Sequence, residues 1–242
     1  MKKINVIMYA GALVLVAASG CNQSASEETK ADKNTVSVDS TAAEATENKT
    51  EVTIGKQIWM TQNLNVDKFR NGDPIPEAKS DEDWRNAYLE KKPAWCYYND
   101  NPDNGERYGK LYNWYAVNDP RGLAPKGWKV PSEADWSRLI DFLGGGNIAS
   151  KKMKSNEYWA DYEGNSGNGN NESGFIGLPG GFRWGDIGSC ESISEEGDWW
   201  SSTAGGNEFL KKSLYLSLDA DGSAALYTHD RGNGLSVRCV KN

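Results

Sequence analysis

The apolar and polar positions divide the chain into three stretches. Residues 6–18 form a short, almost unbroken apolar run. Residues 22–50 are polar, and apart from alanine their only aliphatic members are Val36 and Val38. From residue 51 to residue 242, apolar side chains recur at the spacings of helices and strands. This last stretch has the length of one ordinary domain with a substantial core, so residues 51–242 are predicted to fold together.

Two helices are predicted from capping residues followed by apolar positions at helical spacing. Ser80 is placed to cap the first helix, which has an acidic first turn and stops before Pro93. The second helix is predicted to begin after Ser132, because Asp135 three residues later completes the pattern of a capping box. The glycines at 144–146 are expected to end it.

Strand patterns lie at both ends of the domain. Residues 52–54 and 57–60 predict a tight hairpin. Residues 158–194 are crowded with Gly, Asn and Ser and predict a long, ordered loop region. The strands expected after it cover residues 199–202, 214–218, 224–227 and 235–240, with a turn at 219–222. Two helices followed by loops and a terminal meander predict an α+β domain with a small antiparallel sheet.

The N-terminal apolar run has the order of parts of an export signal. Lys2 and Lys3 precede it, and the small residues at 18–20 follow it directly before Cys21. A cysteine at this point resembles the lipobox of bacterial lipoproteins, in which diacylglycerol is attached to the thiol before cleavage. We therefore predict removal of residues 1–20 and lipidation of Cys21. The alternative is an ordinary signal peptide followed by a chance cysteine.

The polar stretch after Cys21 is predicted to be a flexible tether. Residues 21–50 hold too little apolar surface to offset the entropy of ordering them. Together with the lipidated Cys21, such a tether predicts a domain held in the cell envelope. The protein is then expected to be an outer-membrane lipoprotein, on the periplasmic face or the cell surface. The acidic residues at 26–28 resemble surface-export signals of Bacteroidetes lipoproteins, so surface display is a hypothesis.

Composition narrows the classes of partner. All ten Trp residues and all Tyr residues except Tyr9 lie in the domain, which predicts a loop-rich fold with a core of large flat side chains. The net charge of −7 argues against nucleic acid or anionic lipid as the ligand of the domain. His229, the single histidine, is predicted to be an exposed loop residue, and with no close cysteine pair a zinc site is not expected.

A series of segments, in order and over nearly the whole domain, resembles one family, the Fibrobacter succinogenes major paralogous domain of secreted or lipid-anchored bacterial proteins. The segments are 54–60 (IGKQIWM), 63–65 (NLN), 95–98 (WCYY), 108–117 (YGKLYNWYAV), 127–132 (GWKVPS), 135–136 (DW), 173–175 (SGF), 178–183 (LPGGFR), 199–203 (WWSST) and 236–240 (SVRCV).

The resemblance implies a C-type-lectin-like fold, related to formylglycine-generating enzymes and to the variable ligand-binding proteins of diversity-generating elements. In that fold two helices and a sheet enclose the core, the first and last strands pair, and a long loop region carries any binding site. Relatives often carry cysteine where Ala124 stands here, which leaves the disulfide pattern open. Cys96, Cys190 and Cys239 are the candidates, with Cys190 able to bridge either of the others.

Residues 99–105 form a short segment rich in the hard oxygen donors that calcium prefers. Asp100 and Asp103 supply its carboxylates and are the candidate metal ligands. The same residue types also build ordinary tight turns, which is the favoured alternative. The distal Glu of an EF-hand and the Glu-Pro-Asn or Gln-Pro-Asp triplet of calcium-dependent lectins are missing, and no other cofactor is predicted.

Four residues are candidates for ligand contact: Arg183, Trp184, Trp199 and Trp200. An aromatic face gives a large contact area at low entropic cost. We expect most of the tryptophans to belong to the core instead. Trp184 stands next to Arg183 in the Gly-rich region and is the best exposed candidate.

These patterns favour a non-catalytic binding or structural domain whose loops at 157–198 contact a carbohydrate or another surface protein. The rival is a copper- or thiol-dependent oxidase related to formylglycine-generating enzymes, which hold copper through two nearby thiolates. Cys190 and Cys239 are the pair available for it. His229 has no evident Ser or Cys partner, so a nucleophilic triad is not predicted. A scaffold without a ligand of its own is the third reading.

Overall fold

A computed structural model describes residues 50–205 and 212–242. The predicted signal peptide, Cys21 and nearly all of the tether lie outside the described residues. Among the helices of the described part, none has the length and apolarity that crossing a bilayer requires.

The first sheet joins the two ends of the domain. Its strands are β1 (Glu51–Ile54), β2 (Gln57–Met60), β5 (Trp128–Lys129) and β11 (Val240–Lys241), in the spatial order β1-β2-β11-β5. The predicted hairpin is confirmed, with Ile54 opposite Gln57 and Gly55 at φ 60° in the turn. The last strand pairs antiparallel with β2 and not with the first strand, as Val240 stands opposite Trp59.

The second sheet carries the C-terminal half. Its strands are β6 (Gly180–Arg183), β7 (Cys190–Ile193), β8 (Glu196–Ala204), β9 (Lys212–Asp219) and β10 (Ala224–Asp230), in the order β10-β9-β8-β6-β7. The β6–β8 pair is parallel and the other pairs are antiparallel. A two-stranded ladder joins β3 (Trp95–Cys96) and β4 (Leu111–Tyr112).

The expected C-terminal strands are confirmed at β8, β9 and β10, but the one predicted at 235–240 is mostly wrong. Only Val240 belongs to a strand. Residues 235–239 run between the sheets, where Leu235 bridges to Tyr112 and Ser236 to Trp199. The segment is buried on all sides, so its apolar pattern is that of a core connection.

Both predicted helices are present, together with three shorter ones. The helices are α1 (Asp81–Glu90), α2 (Pro102–Tyr108), α3 (Trp114–Val117), α4 (Glu133–Leu143) and α5 (Gly146–Met153). Ser80 caps α1 by accepting the Asp83 N–H at 3.1 Å. At α4 both bonds of the capping box between Ser132 and Asp135 form. Gly144 ends α4, but α5 begins only two residues later. This helix was not predicted, because the three glycines at 144–146 indicate the end of a helix and not the start of a new one.

The core is built from aromatic rings, as the composition predicts. Trp59 stacks on Trp136 with ring centroids 4.7 Å apart. Phe175 meets Trp59, Trp136 and Trp199 edge to face. Such pairs add to the free energy gained by burial alone. The described residues thus form an α+β domain whose two main sheets enclose stacked tryptophans.

Candidate functional site

A cavity of about 320 Å³ opens where the end of β10, the loop after β6 and α1 meet. We name it the Trp184 cavity. The residues that line it are Tyr88, Trp184, Asp186, Lys212, Thr228, His229, Asp230 and Asn233. Its volume is at the lower end of the range for small-molecule sites, and its lining combines three rings with five other polar side chains.

Trp184 is half-buried and held in one orientation by neighbouring rings. It meets Phe182 edge to face at 4.9 Å and His229 at 5.4 Å between ring centroids. Its backbone is fixed as well, because the Trp184 N–H donates to the Ser189 carbonyl at 2.8 Å. A rigid aromatic side chain loses little entropy when a ligand binds to it.

Asn233 sets the protonation of His229. The Gly185 N–H donates to Asn233 Oδ1 at 2.8 Å, so the amide must present its Nδ2 group to His229 Nδ1 as a donor. The imidazole then accepts at Nδ1 and carries its proton at Nε2. Burial lowers the pKa of His229 to about 4, and the fixed donor adds to the preference for the neutral ring.

His229 was expected on an exposed loop, and this expectation is wrong. It lies on β10, opposite Ser213 of β9, and is partly buried between rings. A single histidine in a polar stretch gives no sign of strand pairing or of aromatic neighbours that are distant in sequence.

Carboxylates make one side of the cavity acidic. The charge of Asp230, then burial, then the charge of Asp186 raise the pKa of the Tyr88 hydroxyl. Tyr88 packs so closely on the chain that a Cβ at Gly232 would lie 1.9 Å from its ring. Glycine is therefore required at position 232 for this wall to form. The cavity offers hydroxyl-binding carboxylates beside ring faces.

Arg183 supports the Trp184 cavity from behind and does not reach it, which corrects its place among the ligand contacts. The guanidinium is fully buried. It donates to Asp100 at 2.6 Å and to Asp81 at 2.8 Å, and its Nε donates to the Gly188 carbonyl. These bonds tie the loop after β6 to the start of α1, because a buried charge must be paired to be tolerated.

Trp199 and Trp200 are also removed from the candidate contacts. Both are fully buried on β8. Trp199 Nε1 donates to Asn63 Oδ1 at 2.7 Å and Trp200 Nε1 donates to the Tyr112 carbonyl at 2.7 Å. Their rings and their only polar atoms are thus used inside the core. Of the three tryptophan candidates, Trp184 alone borders a cavity.

The proposed calcium ligands do not lie together as a site. Both carboxylate oxygens of Asp100 accept from Arg183, and Asp103 lies in the first turn of α2, its N–H bonded to Asn101 Oδ1. The segment is a 3-10 turn followed by a helix, with Asn101 as cap. Within residues 50–205 and 212–242, no three ligand-type side chains are grouped to hold a metal.

The three cysteines of the domain are free thiols in the described part of the chain. Cys239 lies in the core cluster that also contains Ala124. Cys190 packs against a different cluster, the one that contains Cys96. Its sulfur accepts the Asn99 N–H at 3.3 Å. Cys190 and Cys239, the pair needed by the oxidase hypothesis, thus belong to separate clusters, and no observation favours that activity.

The family model of the Fibrobacter succinogenes major domain matches residues 52–241. The chain belongs to this family. No curated protein and no solved structure matches it. The Fibrobacter succinogenes major domain here spans both sheets and all five helices of the described residues, so the Trp184 cavity is part of the family domain itself.

Sequence reasoning found Trp184 but missed Tyr88, Asn233 and His229 as its neighbours. Tyr88 lies near the C-terminal end of α1 and faces the loop after β6. The segment 230–234, rich in Asp, Gly and Asn, carries the only local hint, since such residues form tight turns that position side chains.

Proposed function

We propose that this protein is a non-catalytic, lipid-anchored binding protein that takes a carbohydrate in the Trp184 cavity. The observation that carries the proposal is the pairing of fixed rings, Trp184 and Tyr88, with the carboxylates of Asp186 and Asp230 in one cavity. Sugar rings have apolar faces that pack on aromatic rings and hydroxyls that donate to carboxylates. A surface protein that inserts a polar loop is the competing ligand.

The chemistry of the cavity supports binding without catalysis. His229 is held neutral, with Nδ1 engaged by Asn233 and a pKa of about 4, so it is a poor general base near neutral pH. Among the described residues that line the cavity, none is Ser or Cys. Thr228 and Tyr88 are the hydroxyls, and in the described part of the chain no side-chain hydrogen bond joins either of them to a base, as it would in an activated nucleophile.

As part of the same proposal, the domain is assigned a C-type-lectin-like fold. Support comes from the sheet that joins the N-terminal hairpin to the C-terminal strand, and from the capped helices α1 and α4. The long connection between α5 and β8, which was expected to be all loop, contains β6 and β7, and the loop between these two strands supplies Trp184 and Asp186. In this fold class the loop region is where ligands bind.

Glycan-array binding with the full-length chain in detergent tests the ligand. We expect binding to a restricted set of glycans, and the Trp184→Ala variant should lower affinity at least tenfold, about 1.4 kcal/mol. Trp128→Ala is the matched control, because Trp128 is a half-buried tryptophan on the other sheet. Absence of glycan binding, or equal affinity of the Trp184→Ala variant, contradicts the proposal. Capture of one envelope protein through Trp184 would replace the carbohydrate with a protein ligand.

The lipid anchor is proposed from the sequence before residue 22 and has its own test. Metabolic labelling with a palmitate analogue and fractionation of cells should place the chain in the membrane fraction. The Cys21→Ser variant should lose the label and leave the membrane. Retention of residues 1–20 in the mature protein, or unchanged partitioning of Cys21→Ser, would refute the anchor without affecting the proposal for the cavity.

A further inference from the structure

A second, larger cavity lies on the side of α5, away from Trp184. It has a volume of about 610 Å³ and is enclosed by α5, the loop at 162–168 and the β9–β10 turn. We name it the Lys154 cavity. The polar residues that line it include Ser150, Lys151, Lys154, Glu163, Asn165 and Asp221.

Ser150 presents an unused hydroxyl to this cavity. The residue is fully buried, yet it lines the cavity, and its Oγ has no hydrogen-bond partner among the described residues. A buried hydroxyl without a partner costs about 1–3 kcal/mol, so native structures rarely keep one unless something outside the chain completes it.

Lys154 also has hydrogen-bond donors without partners, and in addition it carries a charge. Its side chain is buried, and its Nζ donates to the Asp219 carbonyl at 2.9 Å and lies 4.2 Å from the centre of the Trp159 ring. An ammonium has three donors, and in the described part of the chain no carboxylate pairs with this one within 4.0 Å. Burial lowers the pKa of Lys154 to about 8, although the nearby charges of Asp221 and Asp219 oppose this shift.

We propose that the Lys154 cavity binds an acidic sugar of the size of a hexuronate, with its carboxylate on Lys154 and Ser150. An anionic oxygen supplies an acceptor for the Ser150 hydroxyl, which has none, and for the Lys154 donors that the Asp219 carbonyl leaves unused. The remaining polar lining suits the rest of such a ligand. Glu163 and Asp221 accept hydroxyl donors, and the amide of Asn165 serves either role. Tyr162 is 48% exposed and offers a ring face at the rim.

The pH dependence of binding follows from the groups that face Lys154. These are Lys151 on α5, Glu163 on the loop, and Asp219 and Asp221 at the β9–β10 turn. Glu163 and Asp221 offset the charges of Lys151 and Lys154, so the attraction for a carboxylate depends on Lys154 being protonated. Affinity for the acid should therefore fall as the pH rises above about 8.

Isothermal titration of the full-length chain with sodium D-glucuronate tests the proposal, with D-glucose, acetate and inorganic phosphate as the other arms. Glucuronate should bind more tightly than any of the three. Lys154→Met should weaken glucuronate binding at least tenfold and Ser150→Ala several-fold. Lys152→Met is the matched control, because Lys152 lies in α5, two residues before Lys154, and pairs with Glu172 outside the cavity. This variant should change affinity less than twofold.

A measurement on the unaltered chain guards against variants that fail to fold. Glucuronate should protect Lys154, and not Lys152, from acylation followed by mass spectrometry. The proposal is overturned if glucose binds as well as glucuronate, if phosphate binds more tightly, if no arm binds, or if Lys154 is not protected. Trp184→Ala should leave glucuronate binding unchanged, so this proposal and the one for the Trp184 cavity can fail separately.

Discussion

Single polar residues in the wall of the Trp184 cavity and behind it determine its chemistry. Asn233 uses its carbonyl oxygen on the Gly185 N–H and its amino group on His229. One buried amide therefore fixes both the loop that carries Trp184 and the tautomer of the imidazole. Arg183 acts in a similar way one layer deeper, through Asp81 and Asp100. Trp184 is thus positioned by polar side chains around it, with Asn233 in the cavity wall and Arg183 behind it.

His229 should make the stability of the domain sensitive to acid. Its pKa is about 4 in the folded chain and near 6.5 in the unfolded chain, so between these values the unfolded chain binds more protons. Stability should fall as the pH drops from about 6.5 to about 4, by an amount on the order of 3 kcal/mol from this group. Urea unfolding at several pH values measures it.

The His229→Gln variant isolates that contribution, because glutamine can accept from Asn233 but does not titrate. Its stability should depend less steeply on pH between 4 and 6.5 than that of the parent chain. Since the chain has one histidine, its NMR titration is read directly. A midpoint near 6.5 in the folded protein would contradict the buried, neutral ring.

At the level of elements, local hydrogen bonds define where the two main helices begin. The cap of α4 is the more elaborate of the two. Asp135 Oδ2 accepts from the Ser132 N–H and hydroxyl, and from Lys129 Nζ at 2.7 Å, while Ser80 at α1 satisfies a single N–H. The burial of Asp135 opposes its ionisation, but these bonds outweigh burial and lower its pKa.

Loss of the α4 cap should therefore cost more than loss of the α1 cap. We expect Ser132→Ala to lower the free energy of unfolding by about 1–2 kcal/mol, and Ser80→Ala by about 0.5–1 kcal/mol. Chemical denaturation of both variants and the parent chain compares them. Equal small effects would show that Lys129 and the backbone hold Asp135 without the serine.

For the whole molecule, two packed clusters close over the three cysteine sulfurs to different degrees. Cys96 and Cys239 are fully buried, whereas Cys190 is partly exposed at β7. Burial raises the pKa of Cys96 and Cys239 to about 12 and also raises that of Cys190. The thiolate, which is the reactive form, is therefore scarce at all three positions near neutral pH.

Alkylation should consequently report on opening of the domain. With iodoacetamide at pH 8, Cys190 should react first, and Cys96 and Cys239 should react together only at the rate at which the domain unfolds. Mass spectrometry of digests at successive times gives the three rates. Resistance of any pair in fully denatured but unreduced protein would instead reveal a disulfide between those two residues.

The sequence by itself determined the features that depend on neighbours along the chain. The caps at Ser80 and Ser132, the hairpin around Gly55 and three of the late strands follow from residues within a few positions of one another. The short segments between residues 54 and 240 that resemble the family, and the order in which they occur, also sufficed to indicate the family. Hydrogen bonds and periodicity over short distances encode these features, so reading them requires no knowledge of the fold.

The tertiary structure alone decided which of the candidate residues are exposed to solvent and which contact one another. Arg183 is buried because Asp81 and Asp100, 102 and 83 positions away, enclose its charge. The local sequence gives no reason to separate Trp200 from Trp184, yet Trp200 is fully buried in the core and Trp184 borders a cavity. The unused donors of Ser150 and Lys154 can be recognised only in the folded structure, where the loop at 162–168 and the β9–β10 turn enclose them. Burial depends on packing between distant segments, so the neighbours of a side chain in the sequence do not determine whether it is buried.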